Sequence, residues 1–295
     1  MRRYAAFGLR WDCDIALEQF AAIAVDDMPA DVVIRQGEGP LPEREELFGF
    51  DGASLCTDGI RFCAEKEAIF DLYPPGLIEW RPDARWRGRF PPLFYGTLAA
   101  LLLAWRGAVP IHGCSVEIRG GAYLICGESG AGKSTLAAAL VASGAARLIA
   151  DDLSVIESGV DGSPILFPGR PAIRLFPATA ANMAETSEIR DDPGMDKVRV
   201  LPPRAEPFVP VPLAMTIILG PDASAIPMWR RAALLDAQIF RPRWMRAISG
   251  WKDRFMILHR AATRVPMLSF DAVEIRDAAA FRARARHVLS RIDTT

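Results

Sequence analysis

The stretch Gly127-Glu128-Ser129-Gly130-Ala131-Gly132-Lys133-Ser134 decides how this chain reads. It matches the pattern G-x-x-x-x-G-K-[ST]. In that pattern glycines let the backbone curl around phosphate oxygens, the lysine reaches the outer phosphates, and the hydroxyl serves a magnesium ion. The pattern carries weight only between a strand and a helix, and both are predicted here. Ala122–Cys126 is short and apolar, as a buried strand is. Ser134–Ser143 (STLAAALVAS) has the composition of a helix and is closed by Gly144. The N-terminal dipole of that helix would face the phosphates. The residues expected to hold a nucleotide are therefore Gly127, Glu128, Ser129, Gly130, Ala131, Gly132, Lys133, Ser134 and Thr135, with ATP and Mg²⁺ as cofactors.

Upstream, Cys114–Arg119 reads as a strand paired with 122–126 through a two-residue turn at Gly120-Gly121. That register sets Cys114 opposite Gly127 and, extended, places His112 near Ser129. A histidine there could orient an aspartate or relay a proton. Downstream, the helix returns the chain to Arg147–Ala150, a strand expected to run parallel to 122–126 after a right-handed crossover. Parallel strands joined this way end at the same sheet edge, so Asp151 and Asp152 should emerge beside the glycine-rich loop. An acidic residue there could hold Mg²⁺ or its water, or act as general base toward an attacking hydroxyl; Asp151 is the metal candidate, and which of the two would be a base stays open. An aspartate at this position also starts turns.

The rest of the chain frames that segment. Residues 1–90 read as a small β-rich domain with a short helix at Leu17–Val25 and strands at Ala53–Cys56, Gly59–Cys63, Ala68–Leu72 and Leu77–Trp80. Arg81–Pro92, rich in Arg, Trp and Pro, reads as a seam before the domain at 91–295. Leu93–Trp105 is an apolar helix stopped by Gly107, and Leu213–Leu219 a buried strand ending at Gly220-Pro221. Residues 182–206 are polar and punctuated by Pro and Gly, as in a long loop. Phosphoryl transfer often needs a mobile cation over the γ-phosphate. On or near the loop, Arg170, Arg174, Arg190, Lys197 and Arg199 are the cations to weigh, with Arg174, Lys197 and Arg199 the candidates and Lys197 foremost, balanced against solvated loop charges. The remainder reads as helical and closes with a helix over Ala278–Ser290; its Arg- and Trp-rich stretch Arg230–Arg264 could grip an acidic peptide or a C-terminal carboxylate, though it reads first as an exposed helix face that uses Arg in place of Lys.

Composition excludes some functions. The 295 residues carry 35 Lys plus Arg against 36 Asp plus Glu, a net charge of −1. A protein that grips nucleic acid non-specifically needs a basic excess, so no nucleic-acid partner is expected. The longest apolar run, Thr97–Trp105, is far shorter than the roughly 20 residues of a membrane span, and the N-terminus does not read as a signal peptide. Five cysteines without a CxxC pair fit reduced thiols in the cytoplasm. Only Lys66, Lys133, Lys197 and Lys252 are lysines in a chain that otherwise uses arginine.

The run over residues 111–157, IHGCSVEIRGGAYLICGESGAGKSTLAAALVASGAARLIADDLSVIE, resembles the catalytic core of the HPr serine kinase/phosphorylase family. The resemblance rests on His112-Gly113, the strand–hairpin–strand, the glycine-rich loop, and Asp151-Asp152 after one short helix. It extends weakly over about residues 95–270. It implies an α/β fold, a P-loop kinase core of the HPr kinase/phosphoenolpyruvate carboxykinase type. It implies transfer of the γ-phosphoryl of ATP to a protein serine, with Lys133 and the loop amides on the phosphates, Ser134 on Mg²⁺, the Asp pair as base and metal helper, and His112 in support. The Glu-containing, glycine-rich segment of the bifunctional members has no counterpart. The nearest stretch, Phe167–Arg174, holds no carboxylate, so neither reverse phosphorolysis nor HPr as target is implied. The layout is more similar to stand-alone members of peptide-biosynthesis clusters, the lasso-peptide kinases, which phosphorylate the C-terminal serine of a precursor peptide. The expected partner is thus a peptide or small protein carrying a serine, with self-association open. A small-molecule kinase or carboxykinase-like enzyme and a non-catalytic nucleotide sensor are the alternatives.

Overall fold

The computed structural model describes residues 1–50, 52–191, 195–220, 226–272 and 277–294. Short apolar segments cut by Gly, Pro and charges make the first part a sheet of nine strands: β1 Arg2–Ala6, β2 Leu9–Cys13, β3 Ala21–Ile23, β4 Val32–Gln36, β5 Glu46–Phe50, β6 Ala53–Cys56, β7 Gly59–Ala64, β8 Ala68–Tyr73 and β9 Leu77–Pro82. Their order is β3-β1-β2-β4-β9-β8-β7-β6-β5. The helix expected at Leu17–Val25 does not form; the segment is a turn followed by β3. Tertiary packing overrides local preference there. The Phe20 ring sits 5.0 Å from Trp11 and 5.4 Å from Tyr95, and the residues that follow it, Ala21–Ile23, pair with β1.

After β9 the chain enters a π-helical turn, Phe94–Leu98, then α1 Ala99–Trp105. The following elements are β10 Val109–His112, β11 Cys114–Ile118, β12 Gly121–Gly127, α2 Lys133–Ala142, β13 Arg147–Ala150, β14 Leu153–Ser158, β15 Pro164–Leu166, β16 Ile173–Leu175, α3 Pro177–Ala180, β17 Glu188–Arg190, β18 Val198–Leu201 and β19 Val211–Leu219. The chain closes with α4 Met228–Asp236, α5 Pro242–Ala247, α6 Trp251–Arg264, β20 Met267–Phe270 and α7 Ala278–Ile292. The second sheet runs β10-β14-β15-β19-β12-β11-β13, with β20 added beside β19. The architecture is mixed α/β.

Several expectations about register need correction. Cys114 pairs with Ile125, not Gly127, because the turn lies at Arg119-Gly120 and Gly121 already belongs to β12. Both turn residues have positive φ, 52° and 81°, as a two-residue turn matched to strand twist demands. His112 is not an extension of β11. It ends β10, opposite Leu153 of β14. Strand β13 runs in the same direction as β12 but is not its neighbour; β11 lies between them, antiparallel to both. The parallel neighbours of β19 are β12 and β20, and β20 lies in a stretch expected to be helical. Residues 182–206 are not simply a loop: β17 and β18 form a small sheet with β16. Residues 192–194, within that stretch, and Pro221, after β19, lie outside the described residues.

Two hydrophobic clusters hold these layers. One is continuous from the first sheet, through Trp11, Phe70, Phe90 and Phe94, into α1, β14 and α6. The other surrounds α2, whose run Leu136–Val141 is wholly buried between the second sheet and α7. In the first cluster the Arg254 side chain of α6 is 1% exposed. Its guanidinium donates to the carbonyls of Ala104 (2.8 Å), Ser249 (2.6 Å), Met245 (2.7 Å) and Ile248 (2.8 Å). Ala104 lies near the end of α1, Met245 and Ile248 at the end of α5, and Ser249 in the link to α6, where backbone carbonyls lack the next helical turn as a donor. Replacing Arg254 with methionine leaves four carbonyls without this donor, each net bond contributing about 0.5–1.5 kcal/mol. A loss of about 3 kcal/mol is expected, read as a fall in Tm of roughly 5–10 °C. An unchanged Tm would show that water satisfies these carbonyls.

Candidate active site

The glycine-rich loop leaves β12 at Gly127 and enters α2 at Lys133. Gly130 and Gly132 sit at φ 84° and 90°, where a side chain would strain the backbone. Lys133 is 8% exposed. Its Nζ donates to the carbonyls of Gly127 and Glu128, both at 2.9 Å, and among the described residues it makes no ion pair. A buried ammonium held only by carbonyls at a helix N-terminus is an electrostatic arrangement that an anion would complete. The loop is braced from outside by Gln238, whose Oε1 accepts from Gly127 N at 3.1 Å.

The two aspartates are the whole connection between β13 and β14. Leu153 N donates to Asp151 O at 2.9 Å, and the residue between them, Asp152, has φ 69°. This is a three-residue turn of the rare, strained hand, a conformation that persists only where the surroundings enforce it. It sends the two carboxylates to different surroundings. Asp151 is buried. Its Oδ1 accepts from Ser134 Oγ at 2.8 Å and from the Cys114 thiol at 2.7 Å, and its Oδ2 accepts from Arg174 N at 2.8 Å. Burial and the Asp151 charge push the Cys114 thiol well up, so it stays a neutral donor. Asp152 is half-exposed. Its Oδ2 accepts from Arg170 at 2.9 Å, and its Oδ1 lies 3.4 Å from His112 Nδ1. Burial acts to raise its carboxyl, but the hydrogen bond to His112 and the Arg170 guanidinium outweigh it and hold Asp152 well below the usual carboxylate range.

Arg170, in the sequence one of several cations near the loop, is the buried residue that organises this turn. It also donates to Asp151 O at 3.0 Å and to Gln19 Oε1 at 3.2 Å, tying the first sheet to the site. Gly169 makes that reach possible. A Cβ on it would lie 2.6 Å from the Phe7 ring and 3.2 Å from Ala150 Cβ. The signal in the sequence was the Pro-Gly-Arg-Pro run at 168–171, which marks a fixed turn but not its target.

A cavity of about 230 Å³ lies over the loop and is lined by Ser129, Gly130, Gly132, Lys133, Ser134 and Thr135 from one side and by His112, Asp152, Arg174 and Lys197 from the other. The Lys197 ammonium lies 5.1 Å above the Phe176 ring. A larger cleft of about 670 Å³ opens beside it and shares His112, Ser129, Asp152 and Arg174. Arg199 is not on either: it lines a separate small cleft with Asp151, Arg170 and Arg190, and its guanidinium donates to Glu18 O at 3.2 Å. Ala131 faces another cavity, of about 440 Å³, on the opposite flank of the loop. Among the described residues no group of three or more His, Cys, Asp or Glu is placed to hold a metal by itself. No helix among them is long and apolar enough to cross a membrane.

No protein-family model matches the chain, and no curated protein sequence does. Among solved structures, similarity is found to the HPr(Ser) kinase/phosphatase from Coxiella burnetii, at 17% identity and a TM-score of 0.26, covering 40% of this chain and 69% of that one.

Proposed function

We propose that this protein is an ATP- and Mg²⁺-dependent kinase that moves the γ-phosphoryl group to a serine hydroxyl of a peptide or small protein. Lys133 is the observation that carries the reading. Among the described residues its buried ammonium has only carbonyl partners, and it lines a cavity bounded by Ser134 and Asp152. The loop from Gly127 to Thr135 then holds the phosphates, and Arg174 and Lys197 face them across the cavity.

The donor set suits magnesium borne on a nucleotide. Such an ion takes one or two protein oxygens and completes its shell with phosphate and water. Ser134 and Asp151, joined at 2.8 Å, offer that pair and no more. When bound, the ion supplies charge neutralisation at the phosphates. Asp151 aligns the Ser134 hydroxyl and keeps it available. Asp152, open to both cavities, accepts the proton of the acceptor hydroxyl as its oxygen bonds phosphorus and the bond to ADP breaks. His112 and Arg170 keep that carboxylate ionised and aimed. A peptide is favoured over a metabolite because Asp152 faces a cleft larger than the phosphate cavity.

Incubation with ATP, Mg²⁺ and serine-containing peptides should add about 80 Da to an acceptor, one phosphate per serine. A precursor peptide ending in serine is the first to try. ATP binding without transfer to any acceptor would leave the nucleotide-sensor reading instead.

A further inference from the structure

Resting on the acceptor cleft just assigned, we infer that the N-terminal sheet supplies the outer half of the acceptor site. An extended polypeptide runs from Asp152 past Arg241, between the first sheet and α5, and ends against Phe62 and Trp244. The cleft that reaches His112 and Asp152 is walled elsewhere by Leu93, Thr97 and Arg241. The same three residues wall a second cavity of about 350 Å³, whose other lining residues include Phe62 and Glu65 of the first sheet region and Trp244 of α5. Two cavities that share three walls lie next to each other, and the exposed Arg241 stands between them. A small acceptor would fill the first and leave the second without a part in the reaction, whereas an extended chain, rising about 3.3 Å per residue, spans both in a few residues.

The chemistry along the groove changes in steps that suit a peptide. A carboxylate and an imidazole stand at the transfer end. In the middle is Arg241, exposed and, among the described residues, without an ion pair. Its backbone is held at φ 49° between Phe240, whose N–H donates to Pro110 O at 3.0 Å, and Pro242, which opens α5. Backbone held in this region recurs at ligand clamps. At the far end the Phe62 and Trp244 rings meet edge to face at 6.1 Å. The occupant is therefore a segment with an acidic side chain for Arg241 and, beyond it, an apolar or aromatic one for the ring pair.

The test uses the full chain, radiolabelled ATP, Mg²⁺ and a positional-scanning library of peptides with one fixed serine. Wild type should select Asp or Glu at one position and Leu or an aromatic residue further out. Arg241→Glu should turn the charge selection towards Lys and Arg, by about tenfold in the ratio of the two libraries. Trp244→Ala should erase the outer apolar selection. Because Trp244 packs on Phe62 and its loss can disturb the fold, the exposed Arg241 carries the decision. Unchanged charge selection in Arg241→Glu overturns the groove. So does labelling of small alcohols with peptides ignored, an outcome that leaves the kinase reading intact. If ATP binding does not depend on Lys133 and no acceptor is labelled, the kinase reading falls and the groove with it.

Discussion

Lys133→Ala is expected to lower phosphoryl transfer by about 10²–10³-fold, the cost typical of removing one preorganised donor from a developing anion. ATP affinity should fall with it, because the ammonium meets the phosphates in the ground state as well as during transfer. The fold should survive. The side chain bonds only two loop carbonyls, so what is lost is about 1 kcal/mol per bond. Titration of nucleotide binding by fluorescence or calorimetry, beside single-turnover transfer, separates the two effects. Wild-type affinity and rate in the variant would remove the phosphate site from the loop altogether.

Asp152→Asn is expected to lower kcat by about 10²–10⁴-fold, the range for loss of a positioned base, with ATP affinity little changed because Asp152 faces the acceptor side. The comparison with Asp151→Asn assigns the two carboxylates. Asp151 lies behind Ser134 and holds it, so its loss should act mainly through the metal and nucleotide terms. If Asp151→Asn leaves nucleotide binding intact and abolishes kcat, the assignment is reversed. The pH dependence has a definite sign. His112 and Arg170 hold the Asp152 carboxyl below its unfolded value, so its ionised form stabilises the native state above the ordinary carboxylate pKa of about 3.9. That contribution disappears as pH falls from there through the lowered value. Urea melts of wild type and Asp152→Asn should therefore converge in acid and differ most above about pH 4. A gap that widens in acid would mean that the His112 and Arg170 contacts do not govern this carboxyl.

The elements around the glycine-rich loop were legible because their signals are local. A short apolar run, three glycines, a Lys-Ser pair and an alanine-rich stretch closed by Gly144 specify strand, loop and helix within about twenty residues. The strands Ala53–Cys56 and Arg147–Ala150 could likewise be bounded from their own sequence. Register was harder. Gly120-Gly121 offers two ways to place a two-residue turn, and the choice went to Arg119-Gly120, which lets Gly121 pair with Ile118 in the ladder. The helix expected at Leu17–Val25 failed for a related reason: of the partners of Phe20, Tyr95 comes from the π-helical turn far along the chain.

The sequence by itself determined the phosphate-type loop, the Asp pair and their common sheet edge, since these follow from strand direction and glycine chemistry over a continuous stretch. Only the tertiary structure decided what surrounds the two aspartates. Their difference comes from one turn at φ 69° that buries Asp151 against Ser134 and Cys114 and turns Asp152 outward to His112 and Arg170. Arg170 reaches that turn from a segment threaded past Phe7, and the cavity beyond Arg241 exists only where the first sheet meets the π-helical turn and α5. Hydrogen-bond partners and exposure set the charge and reach of a carboxylate, and both depend on residues brought together from across the whole chain.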